Sequence, residues 1–147
     1  MTHLISPYEI VAKSALPALR AMVAKRLQVD HHMTQQQVAK CLGVTQASVS
    51  NYARKTRGIM VNLENDAVVA TAADRIAKDL STDEPDQRVA LRSMTEILDY
   101  IRFNHLMCTL HGDLEPGFQV EGCYACEGSF SGKEFERLKV LAGSLAC

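Results

Sequence analysis

No stretch of this chain is apolar enough to span a bilayer. Its apolar runs last only a few residues, against the roughly 20 that a membrane helix needs. The opening MTHLISPYE has no basic n-region and no apolar h-region, so no secretory signal is expected and the predicted location is cytoplasmic. Charge of one sign is also lacking: 16 Lys+Arg face 17 Asp+Glu, a formal net charge of −1. Taken as a total, that argues against a nucleic-acid binder, whose domains are usually basic. There is no internal repeat, no low-complexity tract and no alternating strand pattern, which leaves an all-α fold as the expectation. In a reducing compartment the five cysteines read as metal ligands, redox thiols or core residues rather than disulfides.

What is present is globular. Apolar residues make up 47% of 147 and charged residues 22%, enough for one ordinary domain or two small ones. Ser6-Pro7-Tyr8-Glu9 forms a capping box with proline at the first helical position. Ile10, Val11, Ala15, Leu16, Leu19, Met22, Val23 and Leu27 follow at helical spacing, and Pro17 should kink or split that helix. Thr34 caps a short helix to about Leu42, Gly43 interrupts it, and Thr45 caps another running to about Lys55. Val69, Ala72, Ala73, Ile76 and Leu80 share a further helical face. A long helix is predicted from about Gln87 to about Cys108. Its seam of Leu91, Met94, Leu98, Ile101, His105 and Cys108 has heptad spacing, which fits either a partner helix or the chain's own core. Between His111 and Gly132 glycines are frequent and little apolar surface is available, so this stretch needs a staple. Ser131-Gly132-Lys133-Glu134 then caps a short final helix.

Residues 33–55 are the most informative. Two short helices that cross steeply need a tight turn, which Gly43 can make at positive φ. They also need a small residue at the close approach, which Ala39 supplies, and inward residues to lock the angle: Val38, Leu42, Val44 and Val49. With Thr45 as the cap, the first turn of the second helix exposes Gln46, Ala47, Ser48, Ser50 and Asn51. Gln and Asn pair bidentately with adenine, Ser meets several bases, and Ala meets the thymine methyl. Gln35 and Gln36 are placed to reach phosphate or brace Gln46. Arg54, Lys55 and Arg57 form a basic cluster suited to the DNA backbone. Cys41 reads as a small core hydrophobe.

On these residues, TQQQVAKCLGVTQASVSNYARKTRG above all, the chain resembles the XRE (phage-repressor-like) helix-turn-helix family over about residues 8–60. Gln35 and Gln46 match glutamines familiar in that family. The preceding LPALRAMVAKRL is similar to predicted archaeal-type regulators of the same class, some with Cys-rich tails. Those often carry an additional CxxC ahead of the tail, and the corresponding stretch here, around Tyr100 to Asn104, has no cysteine. The resemblance implies a sequence-specific transcriptional regulator on a double-stranded DNA operator, and pairing along the long helix of residues 87–108 would make it a homodimer.

Outside that segment the cysteines gather late in the chain. Cys108-Thr-Leu-His111 and Cys123-Tyr-Ala-Cys126 are two pairs with two-residue spacing, separated by eleven residues. Such pairs complete a tetrahedron of three thiolates and one imidazole. Cys147 is an alternative fourth ligand to His111, and His105 is a fallback. The donor set suits an iron–sulfur cluster, the preferred cofactor, or zinc. The preferred function is therefore a DNA-binding regulator whose metal centre senses redox state or iron, and not an enzyme. The alternatives are a regulator with purely structural zinc, a CxxC thiol oxidoreductase, and an interaction module that no longer binds DNA.

The charges divide accordingly. Residues 1–60, the expected DNA-binding domain, hold eight Lys+Arg and two Asp+Glu, a balance of +6. Residues 61–147, the expected dimerising and Cys-rich metal-binding region, hold eight and fifteen, a balance of −7. The near-neutral sum conceals a basic end and an acidic remainder.

Overall fold

A computed structural model describes residues 4–54 and 62–127. Among them every regular element is helical. Helix α1 (Pro7–Ile10) passes through a π-helical turn (Val11–Ala15) into α2 (Leu16–Val29). Then come α3 (Gln35–Leu42), α4 (Gln46–Arg54), α5 (Ala67–Leu80), α6 (Gln87–Phe103), α7 (Cys108–Leu114) and a 3-10 turn (Ala125–Glu127). Among the described residues no helix is long and apolar enough to cross a membrane. The predicted final helix after Ser131 lies outside the described residues.

The helix starts follow the capping chemistry. Ser6 and Glu9 close the expected box at α1. At α3 the Gln37 amide donates to Thr34 Oγ1 (3.2 Å), and the Thr34 amide donates to Gln37 Oε1 (2.8 Å). Asp66 caps α5 by accepting from the Val68 and Val69 amides, both at 3.0 Å. Asp86 caps α6 by accepting from the Arg88 amide at 3.0 Å. Each such cap satisfies a donor that the helix itself leaves open and contributes about 1 kcal/mol.

Pro17 does not break its helix. The irregularity falls one turn earlier, where the Leu16 amide reaches back five residues to the Val11 carbonyl. Proline has no amide to offer Lys13, and widening the turn absorbs that loss while the helical path continues. Ser14, buried within the turn, donates its hydroxyl to the Ile10 carbonyl.

The long helix ends five residues before its predicted end. Past Phe103, the Leu106 amide donates to Ile101 O (3.1 Å) and the His105 amide to Arg102 O (3.2 Å). His105 takes φ +59°. This is a Schellman closure with histidine where glycine usually stands. His105 and Cys108 therefore leave the α6 stripe, and the expected seam does not run through them. Of the rest, Ile101 is buried, Met94 and Leu98 pack partly against the core, and Leu91 is 66% exposed.

Helix α2 packs on α5, α5 on α6, and α3 and α4 on α2. One apolar cluster joins them, with Leu19 and Leu27 of α2, Val38, Val49, Ile76 and Ile101 fully enclosed. Burying each such side chain stabilises the fold by about 1.5–3 kcal/mol before entropy is counted. The N-terminal segment reaches the far end of this core. The Ile5 amide donates to Glu115 Oε2 at 3.3 Å, just past α7, and the Arg102 guanidinium lies over the Tyr8 ring, 5.2 Å from its centroid.

Candidate nucleic-acid interface and metal centre

Helices α3 and α4 meet at the predicted turn. Gly43 adopts φ +65°. The Val44 amide donates to Ala39 O (3.0 Å) and the Gly43 amide to Lys40 O (3.4 Å), a Schellman closure of α3. An added Cβ on Gly43 would meet nothing within 4 Å, so the demand for glycine comes from backbone angle and not from crowding. Thr45 Oγ1 accepts from the Ser48 amide at 3.1 Å and so caps α4. Val38, Ala39 and Val49 are buried, while Leu42, Val44 and Tyr52 pack partly against them. These contacts fix the crossing and hold α4 with its other side outward.

On that side Gln46, Ala47 and Arg54 are exposed, and Ser48, Ser50 and Asn51 are half-buried. Gln46, Ser50 and Arg54 recur every four residues, so they share one face. Thr45 is exposed but committed to its cap, with its hydroxyl also 2.9 Å from that of Ser48. Gln36 is exposed and Gln35 half-buried at the start of α3. Lys55 and Arg57 lie outside the described residues. Cys41 is half-buried, and its thiol donates to Leu80 O at 3.4 Å. Burial pushes its pKa up, as suits a core-edge thiol.

One basic residue of this half is turned inward. Arg26 hydrogen-bonds Glu64, Asp74 and the Met22 carbonyl. Its charge is spent within the fold. The sequence contains no local sign of this, because the partners lie 38 and 48 residues away.

At the other end, Cys108 opens α7 and Cys123 precedes the turn that carries Cys126. All three are half-buried. The Cys126 thiol is pushed up first by burial, then by the charges of Cys108 and Cys123, while Arg102 pulls it down. His111, only 6% exposed, is occupied differently. Its Nε2 lies 3.2 Å from Glu115 Oε2, and its ring stacks on Phe118 at 4.4 Å. His105, beside the thiols, has Nδ1 3.4 Å from Cys108 Sγ. Cys147 lies outside the described residues. Among the described residues no group of three or more His, Cys, Asp or Glu side chains is arranged to hold a metal ion. By residue type alone, thiols and imidazoles are donors that a thiophilic metal takes.

No family model, no curated protein and no solved structure matches this chain.

An open groove of about 580 Å³ runs along the junction of α5 and α6. Val68, Ala72 and Ile97 give it apolar walls, and Arg75 and Glu96 line it from the two helices. Sequence reading missed this groove, because it arises from two helices whose separate patterns say nothing about their spacing.

Proposed function

We propose that the chain is a transcriptional regulator of the XRE helix-turn-helix type, in which residues 1–60 bind double-stranded DNA. The outward face of α4 carries this reading: Gln46, Ala47 and Arg54 are exposed on a helix whose Val49 is buried and whose cap and preceding turn are fully hydrogen-bonded. A helix so held presents hydrogen-bonding side chains to a major groove without needing to rearrange. Arg54, Lys55 and Arg57 contact phosphates, while Gln46, Ala47, Ser50 and Asn51 meet base edges. Gln35, Gln36, Thr45 and Ser48 support the approach from the ends of both helices.

A second copy pairs across α6 and the α5–α6 groove. Exposed Leu91 supplies apolar surface. Arg75 and Glu96 make the groove self-complementary, since a two-fold axis sets the cation of one chain against the anion of the other. The dimer presents two recognition helices about 34 Å apart, one DNA turn. Cys108, Cys123 and Cys126, with one further donor, hold an iron–sulfur cluster or a zinc ion that braces residues 108–127. Loss or oxidation of that centre loosens this end and alters operator affinity.

The test is a gel-shift series with genomic fragments at rising salt, alongside sedimentation of the free protein. A specific complex whose affinity falls steeply with salt supports the reading. Retention of no fragment at low salt by the folded protein overturns it. Anaerobic purification with metal analysis separates the centres: a brown protein carries iron–sulfur, and a colourless one with bound zinc carries a structural ion.

A further inference from the structure

We propose that residues 5–8 form a strap that closes over α7 and the end of α6, so that α7 opens only when the strap lifts. Neither DNA nor a metal enters into this device.

Buried polarity marks the place. Among the described residues the buried polar or charged side chains are Ser14, Arg102, His111 and Glu115. Three of them lie where the strap crosses. Glu115 Oε2 accepts the Ile5 amide at 3.3 Å and stands 3.2 Å from His111 Nε2. The Arg102 guanidinium lies over the Tyr8 ring at 5.2 Å and over the Phe103 ring at 4.7 Å. Ser14 belongs to the π-helical turn further along, which packs on α6. Polar groups withdrawn from water depend on partners that stay in place, and the strap supplies a partner to Glu115 and another to Arg102.

The strap is fastened to the residue that closes α7. The Glu115 amide donates to the His111 carbonyl at 3.0 Å and ends the helix. The Glu115 carboxylate turns back to His111 and outward to Ile5. Helix α7 has seven residues and no side-chain cap at its start. A helix that short is not stable by itself and depends on what packs against it. Leu110 and His111 are buried beneath it, and the bond to Ile5 secures its far end.

The strap itself is lightly held. Leu4, just before it, is 93% exposed and Tyr8 64%, while Ile5 packs partly against the core. Few buried contacts mark a segment that opens well below the free energy of global unfolding. On its other side the Ser6–Glu9 capping box fixes the strap to α1. That helix continues through the π-helical turn into α2, on which α3 and α4 pack. The strap thus ties α7, which begins at Cys108, to the half of the chain that carries α3 and α4.

The experiment is native-state hydrogen exchange on the full-length reduced protein. It follows the Ile5, His111 and Glu115 amides, which donate to Glu115, Met107 and His111, with Val23, fully buried in α2, as the core reference. In wild type the three should share one opening free energy, smaller than that of Val23. Tyr8→Ala removes the ring that lies on Arg102 of α6, and alanine suits the first turn of α1. It should speed all three amides by one common factor, about two- to fivefold for loss of a cation–π contact. Tyr8→Phe keeps a ring and should keep the wild-type rates. If Ile5 alone speeds up in Tyr8→Ala, the strap lifts while α7 stays closed, and the proposal fails. It also fails if all three rates are unchanged, because Tyr8 then holds nothing down. Should Tyr8→Ala not fold, wild type still decides: His111 and Glu115 amides that open only with Val23, or that open separately from Ile5, overturn the strap.

Discussion

Arg26 and Glu64 face each other through two parallel hydrogen bonds, Nη1 to Oε1 at 3.0 Å and Nη2 to Oε2 at 3.1 Å. The guanidinium side chain is only 13% exposed. It fastens α2 to the stretch leading into α5, and through Asp74 to α5 itself. Bidentate pairs of this kind are the stronger class of ion pair, and Lys cannot reproduce the fork. Arg26→Ala should therefore destabilise the fold by about 2–3 kcal/mol, and Arg26→Lys by roughly half that. Urea unfolding followed by circular dichroism measures both.

The same pair predicts an acid limb. Hydrogen bonding to Arg26 is the main cause holding the Glu64 carboxyl below its ordinary range. A carboxylate depressed in the folded state gives stability that is complete above its unfolded pKa. That stability is lost as pH falls through the folded pKa. Stability should thus decline on acidification below the ordinary Glu range, and Glu64→Gln should flatten that limb while lowering stability at neutral pH. Because Glu64 is nearly half exposed, solvent screening keeps the effect to about 1 kcal/mol or less. Thermal melts across the acid range check it.

Gly43→Ala should cost about 1–2 kcal/mol through its left-handed backbone alone, since no neighbour crowds the new methyl. The urea midpoint should fall with the slope unchanged. A much larger loss would show that crowding also matters there.

On DNA, Gln46→Ala should reduce affinity for the specific site by about 1–3 kcal/mol and spare non-specific binding. Arg54→Ala should weaken all sequences alike and reduce the salt slope by about one. Both residues are exposed, so thermal stability should stay within about 0.5 kcal/mol of wild type. Competition binding at several salt concentrations distinguishes the two signatures.

Glu115→Ala should release the Ile5 amide and leave His111 buried without its partner. We expect a loss of about 1–3 kcal/mol and faster hydrogen exchange at Ile5. If exchange there is unchanged, another contact holds the N-terminal segment to α7.

Local chemistry was legible in the sequence, and distant pairing was not. Ser6, Thr34, Gly43 and Thr45 announce their roles because each acts on residues a few positions away. The α5 face of Val69, Ala73, Ile76 and Leu80 follows from spacing alone. Arg26 reads as one more surface cation until α5 lies beside α2. The end of α6 was misjudged because apolar spacing continues through His105 and Cys108, while a histidine gives no warning that it will turn left-handed. At the candidate site, two-residue spacing pointed to four donors, yet only packing shows that one of them, His111, is held by a carboxylate. The outward residues of α4 were visible as polar positions beside a buried valine. How far each one projects depends on α3, whose angle no local pattern contains.

The widened turn at Val11–Ala15 has a further effect on the chain's phase. Like a dislocation in a crystal row, it takes up one extra residue and rotates everything beyond it. Ile10 on one side and Leu19, Val23 and Leu27 on the other are all buried, although the turn between them is not α-helical. The turn is thus a place where chain length and helical register are decoupled. A single-residue deletion at exposed Ala12 could be relieved by reverting to an ordinary turn. The same deletion within α2, where no slack is stored, would carry Leu27 and Arg26 off their partners.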